Sequence, residues 1–398
     1  MLPRQAVMKI SVLLPTRNRL DYLKLAIETV RRQQAENWEI VISDNDSEED
    51  IEGYVASLAD ERILYSRTSG FLPVTDNWNA ALALSSGDYV VMMGDDDALL
   101  PGYLESMCEL VERFDRPDLI YVGSLLFTYP GVDPQHGDGF LTVNSYAEFL
   151  AGQTTPFVLA HERAVESVRR SMDFRHSFNF NMQLSLVSRR LIDSLQPNGS
   201  FFQSPFPDFY ATCVAMLRAG RVVVEPQPQV VIGVTPKSYG FFHLNERERE
   251  GREFLDTAAT SSAQLPGTNI NEGWLRAMER VEDNYGAEFA LHVSRRRYRM
   301  LQAGHVYTRR FRGAGDDAEL ADLNASLPRI ERWLFGCAYA AAAILARVLP
   351  KSLWNTISRR LLGQYPVWEP PREEGRYADI LEVFERHRGE RRDTPLTR

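Results

Sequence analysis

The chain has 398 residues, of which 44% are apolar, 25% charged and 11% aromatic. This is the balance of a globular chain with enough apolar surface for two domains, and it excludes a collagen, a disordered tail and a multi-span transporter. The net charge of −9 is unevenly spread: residues 1–291 carry 25 Lys and Arg against 41 Asp and Glu, residues 292–360 carry 13 against 5, and residues 361–398 carry 7 against 8.

Cys108, Cys213 and Cys337 form no CxxC pair and no even framework. Neither a zinc ribbon nor a disulfide scaffold is predicted, and a reducing compartment is expected. Met1 to Lys9 carries Arg4 and Lys9, and the apolar run after it, Ile10 to Leu14, is too short for a signal-peptide core. The expected location is cytoplasmic, with a peripheral place on the inner face of the plasma membrane open to it.

Ile10 to Pro15 reads as a buried strand and Thr16 to Arg19 as a polar turn. Leu20, Leu23, Ile27 and Val30 then recur at helical spacing, which predicts a helix over about 21–34. Trp38 to Ser43 is a second strand ending in Asp44-Asn45-Asp46-Ser47, and a helical stretch follows to about Leu58. Ile63 to Ser66 is a third strand, Asp76 to Ser85 a helix, and Tyr89 to Met93 a fourth strand running into Gly94-Asp95-Asp96-Asp97. Strands alternating with helices, with polar residues at the strands' carboxyl ends, specify a parallel α/β sheet with its ligand along that edge.

Three adjacent carboxylates after a buried strand repel one another unless a cation compensates. If strand geometry continues, Asp95 and Asp97 project to one side, where one could reach a ribose and the other a divalent metal. An acidic turn capping a helix begun by Pro101 is the plainer reading of the same residues.

Ile10-Ser-Val-Leu-Leu-Pro-Thr-Arg-Asn-Arg19, Glu39-Ile-Val-Ile-Ser-Asp-Asn-Asp-Ser47, Asn77-Trp-Asn-Ala80 and Ser86-Gly-Asp-Tyr-Val-Val-Met-Met-Gly-Asp-Asp-Asp97 together resemble the family 2 inverting glycosyltransferases of bacterial type. The resemblance covers about residues 8–120 and continues more weakly to about 245. It implies a GT-A fold, a Rossmann-like mixed sheet flanked by helices that serves nucleotide-diphospho-sugar transferases. It further implies that Pro15, Thr16, Asn18, Asp44, Asn45, Asn77, Asp95 and Asp96 contact a nucleoside-diphosphate-sugar donor, most readily a UDP-sugar. Many relatives have a second Asp where this chain has Asn45, and an amide can still bond a pyrimidine edge. Asp97, Asp95 and His243 match the residues that hold Mn²⁺ or Mg²⁺, which neutralises the leaving diphosphate.

In the middle of the chain, Phe206-Pro-Asp-Phe-Tyr210 opens an apolar helix over 211–217. The family places its catalytic base in such a position, so Asp208 is the expected acceptor of the acceptor-hydroxyl proton, though Asp after Pro is also an ordinary helix start. Val222 to Pro226 reads as a further strand and Thr235 to His243 as an aromatic loop in which Lys237 could meet phosphate. Between 128 and 180, aromatic residues including Tyr129, Tyr146, Phe157, His161, Phe174, His176, Phe178 and Phe180 could stack on sugars or pack beneath a loop.

The expected organisation is a catalytic domain over 1–255, a linker over 256–272, a basic helical domain over 273–368 and a charged, partly disordered tail over 369–398. Helices are predicted at about 274–284, 287–312, 320–349 and 353–362. Arg295-Arg-Arg-Tyr-Arg299 and Arg309-Arg-Phe-Arg312 interleave cations with aromatics, and Trp333 to Ala346 is uncharged but shorter than the roughly 20 residues needed to cross a bilayer. These helices could form a bundle with a solvated basic face or lie on an anionic membrane surface; nucleic acid is not the expected partner. The donor would meet a glycan, polyol or lipid-linked acceptor. A nucleotidyltransferase is disfavoured by the absence of glycine from Pro15 to Arg19, and a non-catalytic sugar-nucleotide-binding module would keep the donor loop without needing Asp208.

Overall fold

The computed structural model describes residues 8–133, 137–144, 147–238, 241, 265–311, 315, 317–350, 352–353 and 373–393. Its strands are β1 (Ile10–Thr16), β2 (Trp38–Asp44), β3 (Ile63–Arg67), β4 (Tyr89–Met92), β5 (Ala98–Leu99), β6 (Leu119–Thr128), β7 (Gly139–Asn144), β8 (Phe157–Leu159), β9 (Ser185–Ser188), β10 (Val222–Val234) and β11 (Glu373–Tyr377). The helices around them are α1 (Leu20–Arg31), α2 (Ile51–Ser57), α3 (Val74–Leu84), α4 (Tyr103–Arg113), α5 (His161–Met172), α6 (Arg189–Leu195) and α7 (Pro207–Arg218). Beyond them follow α8 (Asn269–Phe289), α9 (Arg295–Phe311), α10 (Asp317–Ser326), α11 (Arg329–Val348) and α12 (Ile380–Asp393).

The sheet runs β11-β7-β6-β9-β4-β1-β2-β3, and β10 lies along the other edge of β6 with β5 and β8 against it. β1 pairs parallel with β2 and with β4. β9 is antiparallel to β4 and β6, which makes the sheet mixed. The parallel strands are continuous apolar runs because helices cover both of their faces. β1 follows this closely: its Val12, Leu13 and Leu14 have no exposed surface. Since β2 and β4 flank β1 on opposite sides, the strand order reverses there, and a crevice opens beyond the carboxyl ends of β1 and β4.

The opposite end of these strands carries a buried carboxylate with every requirement met. Glu39 on β2 is paired with Lys9 and accepts bonds from Ser11 Oγ at 2.6 Å and the Ser86 amide at 2.6 Å. Burial alone would raise its pKa; the Lys9 cation and the Ser11 and Ser86 donors outweigh this and hold it at about 2.

The C-terminal part departs from the expected organisation. α8 begins at Asn269, inside the predicted linker, and its Trp274 is 1% exposed among Phe174, Phe180 and Phe209. The helix therefore belongs to the core of the sheet domain. The helix predicted over 287–312 is broken at Ala290, whose φ of 50° ends α8 in the left-handed region, and Pro328 separates α10 from α11.

The tail, expected to be partly disordered, supplies β11 antiparallel to β7. It also supplies α12, whose Ile380, Val383 and Phe384 are at most 1% exposed. The strand read as ending at Pro226 continues to Val234, and register shifts at Glu225, Pro228 and Val230 absorb the two prolines along β6. Among the described residues, no helix is long and apolar enough to cross a membrane.

Candidate active site

β1 and β4 pair with Leu13 opposite Met92, so three residues further on Thr16 is level with Asp95. The Thr16 hydroxyl donates to Asp95 Oδ2 at 2.7 Å. Asp95 Oδ1 accepts from the Arg19 guanidinium at 2.9 Å, and the same nitrogen reaches Asp96 Oδ2 at 3.2 Å. Asp96 Oδ2 is also met by the Ser238 hydroxyl at 2.5 Å and the Thr235 hydroxyl at 3.3 Å. Asp97 takes the Gly94 amide on one oxygen at 2.7 Å and the Gly233 amide on the other at 2.8 Å.

The reading of the aspartates as a helix cap fails on position. α4 starts only at Tyr103 behind Gly102, after β5 intervenes. Gly233 is required by close approach: a Cβ there would stand 1.8 Å from the Asp96 carbonyl oxygen.

All three carboxylates are buried, so their electrostatics are set by desolvation and by one another. Burial and the neighbouring Asp96 charge push Asp97 well above the usual carboxylate range, because two backbone amides compensate only part of its charge. Asp95 is also raised by burial, against the opposing pull of Arg19. Burial works against the Arg19 cation too, yet Asp95 and Asp96 outweigh it and hold the guanidinium above its ordinary pKa.

Sequence reasoning missed Arg19. A signal existed: it is the N-cap of α1 with no capping bond, and a cation at a helix amino end is unfavourable unless acids lie nearby. Arg19 also donates to the Lys237 carbonyl, and Lys237 Nζ returns a bond to the Asn18 carbonyl at 2.7 Å, which fastens residues 235–238 over the aspartates.

Pro15, Thr16, Asn45, Asn77, Asp95, Asp96, Asp97 and Asp208 line one cleft of about 520 Å³. Residues 208 and 95–97, more than a hundred positions apart, are thus brought to the same cavity by α7 and β4. Asp208 lies in the first turn of α7 and accepts from the Phe209 amide at 3.1 Å. It is partly open to the cleft but crowded behind, where Phe206 and Phe209 stack with centroids 5.2 Å apart. That burial raises its pKa to about 7.

Other expected donor contacts have their side chains committed elsewhere. Asn45 clamps Leu72 through both its amide nitrogen, at 2.8 Å, and its oxygen, at 2.7 Å. Asn77 bonds Ser43. Asp44 and Asn18 are not among the cleft-lining residues. Asp44 accepts from the Ser47 amide at 3.0 Å and the Tyr65 hydroxyl at 2.7 Å. The Asn18 oxygen accepts from the Glu48 amide at 2.7 Å, and its φ of 53° turns the chain into α1.

The cleft mouth instead offers Phe71, 49% exposed, with the Arg17 guanidinium 4.4 Å from its ring. Among the mid-chain aromatics, Phe174, Phe178 and Phe180 are buried core, while Tyr146 and His243 lie outside the described residues.

The described residues contain no cluster of three or more His, Cys, Asp or Glu side chains converging on one point. Mg²⁺-type sites served by one or two carboxylates plus substrate phosphates need no such cluster. Asp97, whose two oxygens are met by the backbone amides of Gly94 and Gly233, fits that mode.

Residues 11–176 match the family model described as "Glycosyl transferase family 2". The GalNAc(5)-diNAcBac-PP-undecaprenol beta-1,3-glucosyltransferase of Campylobacter jejuni is 35% identical over 104 residues, 25% of this chain and 34% of that protein. The abequosyltransferase RfbV of Salmonella typhimurium is 34% identical over 115 residues, 27% of this chain and 34% of that one. The chain thus spans about a third of the length of these curated relatives. A crystal structure of S. aureus TarS 1–349 aligns over 92% of this chain and 98% of its own, with a TM-score of 0.45 and 16% identity. Residues 11–176, which run from β1 past α5 in a mixed sheet of GT-A type, thus carry a glycosyltransferase family 2 domain.

Proposed function

We propose that the cleft transfers a sugar, with inversion, from a nucleoside-diphosphate sugar to a hydroxyl of a glycan, polyol or lipid-linked acceptor. The observation that carries this reading is the convergence of Asp208 and Asp95–Asp97 on one cavity. Asp208, with a pKa near 7, is poised to accept the acceptor hydroxyl's proton as that oxygen attacks the anomeric carbon. The bond from that carbon to the diphosphate breaks, and its electron pair leaves with the diphosphate. Thr16 and Arg19 fix Asp95, while Ser238 and Thr235 fix Asp96, so the cleft floor is ordered before the donor arrives.

Asp97 would hold a divalent cation, Mn²⁺ or Mg²⁺, whose charge would offset that developing on the leaving nucleoside diphosphate. The uridine preference rests on the family position of Asp44. Since both Asp44 oxygens already hold protein donors, Phe71 and Arg17 at the mouth are the better-placed contacts for a base. The lipid-linked acceptor draws support from the Campylobacter relative, whose name describes a glycan on undecaprenol diphosphate.

A panel of nucleoside-diphosphate sugars, assayed for nucleoside diphosphate release with and without Mn²⁺ and with polyprenyl-diphosphate and polyol acceptors, tests the reading. Acceptor-dependent release from one donor is the expected result. Binding of no nucleoside diphosphate by calorimetry, with or without metal, would sink it.

A further inference from the structure

Six of the thirteen large apolar side chains exposed among the described residues lie on one helix, α11: Ile330, Trp333, Leu334, Ile344, Leu345 and Val348, from 41% to 74% exposed. At 100° per residue they fall within an arc of roughly 120°, one stripe along the helix rather than scattered surface residues. The opposite side of α11 is fixed in place. Phe335 and Tyr339 are buried against α9, the Tyr339 ring lies 5.4 Å from that of Tyr307, and its hydroxyl donates to the Met300 carbonyl at 2.7 Å. The helix is therefore held rigidly with its apolar stripe facing out.

Charge decides what covers it. Glu331, the one acid of α11, lies about 40° beyond the Leu345 edge of the stripe and is neutralised by both arms of Arg299 at 2.6 and 2.7 Å. Arg329 and Arg347 lie near the two ends of the helix, on the edge of the stripe beside Trp333, and Arg347 is exposed. The other basic runs contribute less than their composition promises, since Arg295, Arg309 and Arg310 pair with Glu279, Glu319 and Asp317. A second copy packed antiparallel on the stripe would set Arg329 against Arg347, with the one acid of each helix already committed. An anionic lipid surface meets the same arginines with opposite charge.

We infer that α11 is a monotopic docking face that lies in the headgroup layer of an anionic membrane, with Trp333 and the aliphatic stripe inserted and Arg329 and Arg347 on lipid phosphates. The helix is too short in uncharged residues to span, which agrees with docking in the plane. The face stands apart from the chemistry of the cleft, and vesicle binding is measured without donor or acceptor, so the two can fail separately.

The test is co-sedimentation of the full chain with phosphatidylcholine vesicles with and without phosphatidylglycerol. Binding is expected only with the anionic lipid, weakening as salt is raised. Arg329→Gln with Arg347→Gln is expected to weaken it by roughly thirtyfold. Ile330→Ser, Trp333→Ser, Ile344→Ser and Val348→Ser together are expected to weaken it by about a hundredfold or more, with an unchanged melting temperature. If the quadruple variant misfolds, the arginine pair still decides the matter. Failure of the full chain to pellet with anionic vesicles at low salt overturns the inference. So does undiminished binding by the folded variants, or a wild-type dimer in light scattering that the stripe substitutions dissolve.

Discussion

The two ends of the parallel strands treat buried acid in opposite ways. At the amino end, Glu39 has Lys9, Ser11 and Ser86 around it and its pKa is held at about 2. At the carboxyl end, Asp95 and Asp97 share too little compensation and are pushed upward, and Asp208 across the cleft reaches about 7. The first is an acid whose charge stabilises the fold. The second group are acids whose charge is costly until something binds, which is the usual condition of a site that works on ligands.

The comparison breaks most sharply at Asp208. Asp208→Asn should lower kcat by about a hundredfold or more while leaving donor affinity within about twofold. Because the base must be ionised, wild-type kcat should rise with pH through about 7, and the variant should lose that limb. A variant that turns over at the wild-type rate removes Asp208 from the mechanism.

At the other end, Glu39→Gln should cost about 2 kcal/mol in urea unfolding at pH 7, since one amide oxygen can still accept from Ser11 and Ser86 while Lys9 loses its anion and faces an NH2 donor. The sign follows from its lowered pKa. Glu39 contributes stability fully above its unfolded value of 4.5 and loses it as pH falls towards 2, so the gap between wild type and variant should close on acidification. A gap independent of pH would mean that the cluster is only packing.

Arg19→Gln sharpens the contrast by removing the one guanidinium that bridges Asp95 and Asp96. A loss of about 1 kcal/mol at pH 8, shrinking as the pH is lowered and Asp95, whose pKa burial raises, protonates, is expected from thermal melts at the two conditions. Equal losses at both would show that Arg19 acts through its bond to the Lys237 carbonyl instead.

The smallest effect is again at Asp208. Its folded pKa is raised above its unfolded value, so ionisation destabilises the fold as pH rises towards 7. Asp208→Asn should therefore melt higher than wild type at pH 8, by roughly 2 °C, and equal to it near pH 4. A lower melting temperature at pH 8 would place the Asp208 carboxylate among the stabilising acids, with Glu39.

What was legible in the sequence follows from the range of the interactions. β1, β2 and β4 could be read because strands buried on both faces become unbroken apolar runs, and the aspartates announced themselves by adjacency. Asp208 was reachable through family position, but its meeting with residues 95–97 was not a local property. Arg19 escaped because its acids lie 76 and 77 residues away. Asp44, Asn45 and Asn77 were found through the family motifs, whereas their commitment to Tyr65, Leu72 and Ser43 depends on which neighbours the fold delivers. The two prolines of β10 masked a strand that a bulge carries onward.

The docking of β11 and α12 has a consequence for the order in which the protein is made. α12 packs on α1, and Arg32 binds Glu385 across 353 residues, so α1 waits for a partner helix that is synthesised long after it. Until β11 arrives, the outer edge of β7 is an unpaired strand. The apolar cluster of Phe127, Leu141, Ile380 and Val383 also stays half built. A nascent chain therefore carries an open sheet edge from the time β7 forms until β11 emerges, a state that invites chaperone binding or edge-to-edge association before β11 closes it.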